Sequence, residues 1–300
     1  MTKKILITGI NGFLGQNLAN FFNKKNLCVF GIDCVSLNND LKTTDFIEAP
    51  VDLKALTSFN IKFDLIIHCA GGSTVGASIK DPEGEYNKTV NSTIEVLEYI
   101  KNHNKNAKLI YPSSAAVYGN AYNIPICEDK ELNPLSPYGQ HKKIAEDICR
   151  KFHNDFGISV SIIRFFSLYG SGLKKQLLWD ACNKFQNEEK IEFFGTGKES
   201  RDWLHIDDAV NLIYKIYEVN ESFNIYNGGT GKNLPTRSIL KLLSSNFDKD
   251  IKFTFNNLIR EGDPLYLCAD TSKVKTICWH PQKEIEEGIK EYVLWFKEKN

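Results

Sequence analysis

A phenol and an amine four residues apart, Tyr138 and Lys142 in the run Ser136-Pro-Tyr-Gly-Gln-His-Lys142, fall on one side of any helix that contains them. An ammonium held near a phenol favours the phenolate and can draw its pKa from about 10 towards the range of a general base. Ser136 reads as an N-cap, Pro137 as the first helical residue and Gly157 as the stop. Ile144, Ala145, Ile148, Cys149, Phe152 and Phe156 make the expected apolar stripe, with Tyr138 and Lys142 at its edge. Tyr-x-x-x-Lys also arises by chance on half-buried helices, so the meaning of the pair depends on what else the chain brings to it.

The elements that must position this pair begin at the N-terminus. Ile5-Leu-Ile7 is a short apolar strand entering Thr8-Gly9-Ile-Asn11-Gly12-Phe13-Leu14-Gly15, and Leu14, Leu18, Phe21 and Phe22 then recur at helical spacing. Strand, glycine turn and helix together suit a pyrophosphate at the helix N-terminus, where free N–H groups and the helix dipole favour negative charge. A second strand, Leu27-Cys-Val-Phe-Gly-Ile32, ends in Asp33. A carboxylate there can accept from both ribose hydroxyls and repels a 2′-phosphate, so it argues for NAD over NADP. Residues 34 to 50 read as polar and irregular, and Val51-Asp52-Leu53 as a short edge strand whose Asp52 meets the adenine. Phe63-Asp-Leu-Ile-Ile-His-Cys69-Ala70 is a buried strand that opens into Gly71-Gly72. Asp81-Pro82 starts a long helix, and Lys108-Leu-Ile-Tyr111 is a strand delivering Ser113 and Ser114 to the same sheet end. Alternating strand and helix units from residue 4 to about 165 predict an α/β fold, a doubly wound parallel sheet.

Composition excludes little. Lys+Arg and Asp+Glu each number 37, so no global field argues for nucleic acid or an anionic membrane. The eight cysteines have no Cys-x-x-Cys pair or metal-ligand spacing and read as reduced core residues of a cytoplasmic protein; no metal site is expected. No run reaches the roughly 18 apolar residues of a spanning helix.

Beyond the glycine turn and Asp33, His68-Cys-Ala-Gly-Gly-Ser-Thr-Val75-Gly76, Ser113-Ser-Ala-Ala-Val-Tyr-Gly119 and the Tyr138/Lys142 pair occur in the order seen in the nucleotide-sugar epimerase/dehydratase group of extended short-chain dehydrogenases/reductases. The chain resembles that family nearly end to end, with motifs nearest to those of UDP-galactose 4-epimerases. The resemblance implies a Rossmann sheet of about seven strands with a smaller C-terminal α+β substrate domain. It divides the chain into 1–165 for the dinucleotide, returning at about 205–230, and 166–204 with 231–300 for the nucleotide sugar. It makes Ser114, Tyr138 and Lys142 catalytic. Gly9, Asn11, Gly12, Phe13, Leu14, Gly15, Asp33, Asp52, Leu53, Cys69, Ala70 and Gly71, with Tyr138 and Lys142, would hold NAD. Ser73, Ser114, Tyr138, Ser167, Gln176, Arg201, Arg260 and Asp263 would meet a nucleotide-diphosphate sugar. The resemblance also implies a homodimer.

Departures concentrate in the sugar cleft. Thr89 stands where the family has asparagine, Ser73 replaces a lysine or equivalent, and Ser167 and Gln176 replace two substrate-binding asparagines. Ala115 and Ala116 stand where dehydratases of this group carry an Asp-Glu pair. The implied activity is NAD-dependent 4-epimerisation of a nucleotide sugar, with NAD(P)H-dependent 4-reduction of a 4-keto-6-deoxy nucleotide sugar in surface-polysaccharide biosynthesis as the alternative.

Overall fold

Ile5, Leu6 and Ile7 are wholly buried, as a strand at the centre of a parallel sheet covered on both faces must be. The computed structural model describes residues 2–120, 125–258 and 264–299. Its strands are β1 (Lys4–Thr8), β2 (Cys28–Asp33), β3 (Asp45–Glu48), β4 (Leu65–His68), β5 (Lys108–Ser114), β6 (Val160–Phe165), β7 (Ser167–Tyr169), β8 (Ile191–Phe193), β9 (Ser200–His205), β10 (Phe223–Gly228), β11 (Asn233–Pro235) and β12 (Phe253–Phe255). Its helices are α1 (Phe13–Lys24), α2 (Leu53–Ser58), α3 (Val75–Lys80), α4 (Pro82–Tyr86), α5 (Ser92–His103), α6 (Pro137–Phe156), α7 (Gln176–Asn187), α8 (Ile206–Glu218), α9 (Thr236–Ser244), α10 (Ser272–Thr276) and α11 (Ile285–Lys299).

Seven strands form one parallel sheet in the order β10-β6-β5-β4-β1-β2-β3. The chain reverses its direction of growth between β1 and β4, and ligands of such sheets sit in the crevice at that switch, outside the carboxyl ends of the strands. Leu18 and Phe22 of α1 pack with Leu212 and Ile213 of α8 on one face, and Leu56, Val96, Leu97, Ala145 and Cys149 cover the other. A third core gathers Phe185 from α7, Leu243 from α9, Phe296 from α11 and Phe193 from β8. Phe13, at the start of α1, packs against both this core and the first.

Several expectations change. Val51-Asp52-Leu53 is not a strand: Asp52 is the N-cap of α2, its carboxylate accepting from the Ala55 amide at 2.7 Å. The edge strand is β3, inside the stretch read as irregular, pairing Asp45–Glu48 with Phe30–Asp33. The long helix from Pro82 is broken by a π-helical turn at Asn87–Asn91. On α6 the buried residues are Gly139, Lys142, Ala145, Glu146 and Cys149, whereas Ile144 and Phe156 are exposed. The face turned to the core is therefore rotated from the apolar stripe, and Lys142 lies within it, not at its edge. The cysteines are free, but only Cys149, Cys182 and Cys268 are buried; Cys34, Cys127 and Cys278 are exposed because they lie in connections, not in the apolar runs.

Candidate active site

The glycine turn closes on itself and on the loop after β4. The Gly12 amide bonds to the Gly9 carbonyl at 3.0 Å, and Gly9 has φ +65, a conformation that costs glycine little. A Cβ at Gly9 would stand 2.7 Å from the Ala70 amide, and one at Gly15 would stand 2.8 Å from the Ile10 Cα, so both positions require glycine. No side chain caps α1 at Gly12, and its first turn holds no acidic residue. Its N-terminal N–H groups are thus presented to an anion. Asp33, half-buried at the end of β2, accepts from the Asn11 amide through Oδ2 at 2.9 Å. Asn11 also ties down residues 35–38: its Nδ2 donates to the Val35 carbonyl at 3.1 Å, and its Oδ1 accepts from the Asn38 amide at 2.9 Å. Uncapped amides one strand away from a carboxylate acceptor fit a pyrophosphate and a ribose diol.

Phe13 and Leu14 flank Gly15 on α1, and Leu53 follows the Asp52 cap, its amide donating to Glu95 at 2.7 Å. Cys69, Ala70 and Gly71 follow β4 at its carboxyl end, Ala70 packed against Gly9. Ala70 is anchored by the Thr8 hydroxyl, which accepts from its amide at 3.2 Å. His68 below them is buried between Thr8, 2.7 Å from Nδ1, and Ser92, 3.2 Å from Nε2.

Ser114 ends β5, and Tyr138 opens α6. The Ser136 hydroxyl accepts from the Gly139 amide at 3.2 Å, and Ser78 of α3 accepts from the Tyr138 amide at 3.0 Å, so two of the free N–H groups of the first turn are used to seat the tyrosine. The Ser114 Oγ accepts from the Ala116 amide at 3.2 Å, which leaves its proton to donate, and Tyr138 lies within hydrogen-bonding reach of it. A buried network ties the two elements together. Glu146 of α6 receives Ser113 at 2.5 Å and Arg164 of β6 at 2.7 Å, and Arg164 reaches the Tyr118 phenol at 3.0 Å.

Lys142 departs from the expected phenol–ammonium pairing. Its Nζ donates to the Pro112 carbonyl at 3.0 Å and sits 4.8 Å over the Tyr111 ring. Burial pushes its pKa down to about 8, against the Glu85 carboxylate and other nearby anionic groups. Tyr138 is pushed above the usual phenol value by burial and by the charge of Glu85, against a lowering by the Ser114 hydrogen bond. In the protein alone desolvation is the largest influence on the phenol, and the Lys142 ammonium is directed to Pro112 and Tyr111.

A model of the NAD dependent epimerase/dehydratase family matches residues 5–229. The chain belongs to that family. A UDP-glucuronate 4-epimerase of Thermodesulfobacterium geofontis is 30% identical over 98% of this chain and 96% of its own length. The structure of a UDP-glucuronic acid 4-epimerase from Bacillus cereus in complex with UDP-glucuronic acid and NAD matches at 26% identity with a TM-score of 0.89, covering 99% of this chain and 100% of that one. A UDP-N-acetylglucosamine 4-epimerase from Methanobrevibacter ruminantium, at 24% identity and a TM-score of 0.91, covers 100% of this chain and 99% of its own and shares the fold.

Against the epimerase/dehydratase background, the residues expected at the sugar are scattered more loosely. Ser73 is exposed before α3, and Ser167 is half-buried at the start of β7. Gln176 is exposed with φ +65 at the start of α7, a left-handed backbone unusual for glutamine. Arg201 of β9 donates to the carbonyls of Ser200 at 3.0 Å and Leu265 at 3.3 Å. Arg260 and Asp263 lie outside the described residues. Sequence reasoning missed the pairing of buried Glu85 with half-buried His141, the residue before Lys142, and the use of Thr89 to hold the amide of Gly72 at 2.9 Å. A glutamate four residues before Thr89 was the one local signal for the first of these.

Proposed function

We propose that this chain is an NAD-dependent nucleotide-sugar 4-epimerase acting by transient oxidation at sugar carbon 4, with Ser114, Tyr138 and Lys142 as its catalytic residues. The observation that carries the reading is the meeting of Ser114 and Tyr138 at the carboxyl end of β5, with Lys142 one helical turn further and the glycine turn across the same crevice. When bound, NAD supplies the hydride acceptor and a positive ring near the phenol. Gly9, Asn11, Gly12, Phe13, Leu14 and Gly15 would hold its pyrophosphate side, Asp33 its ribose, Asp52 and Leu53 its adenine, and Cys69, Ala70 and Gly71 the stretch towards Lys142. Tyr138 takes the proton of the carbon 4 hydroxyl, and Ser114 holds the same oxygen and relays the proton. Lys142 keeps a cation within one turn of that exchange.

Ser73, Ser167, Gln176 and Arg201, with Arg260 and Asp263, would line the sugar and diphosphate side of residues 166–204 and 231–300. The relatives named above act on UDP sugars, which makes a UDP sugar the first substrate to try. The exposed Ile144 and Phe156 of α6 support a homodimer through this helix. We assign the enzyme to the cytoplasm and to polysaccharide biosynthesis, where nucleotide sugars are consumed.

Incubation of purified protein with UDP-glucuronate, and separately with UDP-glucose, should give the carbon 4 epimer without net consumption of NAD. No epimer, together with NAD(P)H-dependent reduction of a 4-keto-6-deoxy nucleotide sugar, would replace the epimerase by the reductase.

A further inference from the structure

One carboxylate–imidazole pair takes no part in the proton transfer above. Glu85 of α4 is 5% exposed, and its Oε2 is bonded to Nδ1 of His141, the residue that precedes Lys142. Its other oxygen accepts from the Thr89 hydroxyl at 2.6 Å, and the same Thr89 oxygen accepts from the Gly72 amide at 2.9 Å. A Cβ at Gly72 would collide with the Glu85 carboxyl, and one at Gly71 would stand 3.3 Å from the Thr89 hydroxyl and 3.7 Å from Nζ of Lys142. Tyr86 closes the pair edge-on against the His141 ring, 5.2 Å between centroids. Thr89 lies in the π turn, a local widening of the helix that recurs at functional sites. An unbroken chain of bonds therefore runs from His141 through Glu85 and Thr89 to the glycine loop, and the loop faces Lys142.

A buried carboxylate persists when it is paired and fully hydrogen-bonded, and here both oxygens are used. We propose that Glu85 and His141 are positioning residues of the active site, which hold the Gly71–Gly72 loop against Lys142 and set the charge against which the Tyr138 phenol ionises. The inference rests on the proton-transfer role given to Tyr138. Glu85 opposes ionisation of Tyr138 and favours the charged form of Lys142. The other titratable groups that face the two are Tyr111, His68, Cys69, Glu146 and Cys149. Glu146 is neutralised by Arg164. Among the described residues Glu85 has no arginine of this kind beside it, and it is held by His141 and Thr89.

The test uses the full-length NAD-loaded protein, with Glu85→Gln and His141→Asn. The Tyr138 transition is read from tyrosinate absorbance as the difference between each protein and its Tyr138→Phe counterpart, and the pH profile of kcat is measured in parallel. Glu85→Gln should move the Tyr138 transition and the acidic limb of kcat to lower pH by roughly one unit, and His141→Asn, which removes a partner of Glu85, should weaken NAD binding. A third variant, Thr89→Val, cuts the bond chain without changing charge; it should weaken NAD binding and leave the transition in place. No movement in Glu85→Gln, or unchanged NAD affinity in both His141→Asn and Thr89→Val, overturns the inference. The absorbance titration needs no sugar, so a wild type that turns over no sugar defeats the epimerase reading while leaving the pair to be decided.

Discussion

The two sides of the crevice are built differently. On the proton-handling side nearly every polar group is buried and bonded: Ser113, Glu146 and Arg164 fasten β5 to α6 and β6, and Thr8, His68 and Ser92 fasten β4 to its neighbours. On the side proposed to face the sugar, Ser73 and Gln176 are exposed, and Gln176 holds a left-handed backbone. Chemistry common to a family demands fixed geometry, and fixed geometry comes from satisfied buried groups. Three of the departures from the family pattern, Ser73, Ser167 and Gln176, fall on that side; the fourth, Thr89, is buried on the rigid side and bonded to Gly72 and Glu85.

Substitutions on the rigid side should therefore have the largest effects. Tyr138→Phe should lower kcat by ~10²–10⁴-fold with NAD affinity nearly intact, since it removes one proton carrier and little surface. Retention of near wild-type turnover would show that another group carries the proton.

Arg164→Met tests the fastening itself. Stranding the Glu146 carboxylate, 3% exposed, should cost about 3–5 kcal/mol of stability in chemical denaturation. A loss below about 1 kcal/mol would mean that Ser113 alone satisfies Glu146.

His68 makes the same side sensitive to acid. Burial, and then the Lys142 charge, push its pKa down to about 3. Below about pH 6.5 the unfolded chain binds a proton that the native imidazole refuses, so this group withdraws stability as pH falls towards 3, by ~1.4 kcal/mol per pH unit. His68→Asn should flatten that part of a stability-against-pH curve. An identical slope in the variant would assign the acid sensitivity elsewhere.

The smallest effect is expected on the loose side. Gln176→Gly relieves a positive φ and should leave stability within ~1 kcal/mol of wild type, or raise it, while raising the KM for the nucleotide sugar. Lowered stability with unchanged KM would make Gln176 a structural residue and weaken the contrast between the two sides.

Much of the rigid side was legible in the sequence. Completely buried strands write themselves as apolar runs, the glycine turn is fixed by backbone contacts that exclude a Cβ, and the serine, proline and glycine that bound α6 do so through backbone bonds. Less was legible where the decision is made at a distance. β3 has half-buried Phe46 and Ile47 between exposed Asp45 and Glu48, too short a pattern to separate from a polar loop. Glu85 and His141 are 56 residues apart, and the π turn that brings Thr89 to the glycine loop leaves no periodic trace. Lys142 was found by its spacing from Tyr138, yet its partners are Pro112 and Tyr111, chosen by the packing of α6 on β5.

Phe13 is counted in two cores, one under the seven-stranded sheet and one among α7, α9 and α11. It also lies inside the glycine turn, between Gly12 and Gly15. A ligand that holds this turn in its native shape keeps one aromatic ring inserted where both clusters need it, so its binding energy is divided between two parts of the chain that are distant in sequence. A ligand gripping this turn would therefore oppose unfolding of α7, α9 and α11 as well as of the sheet.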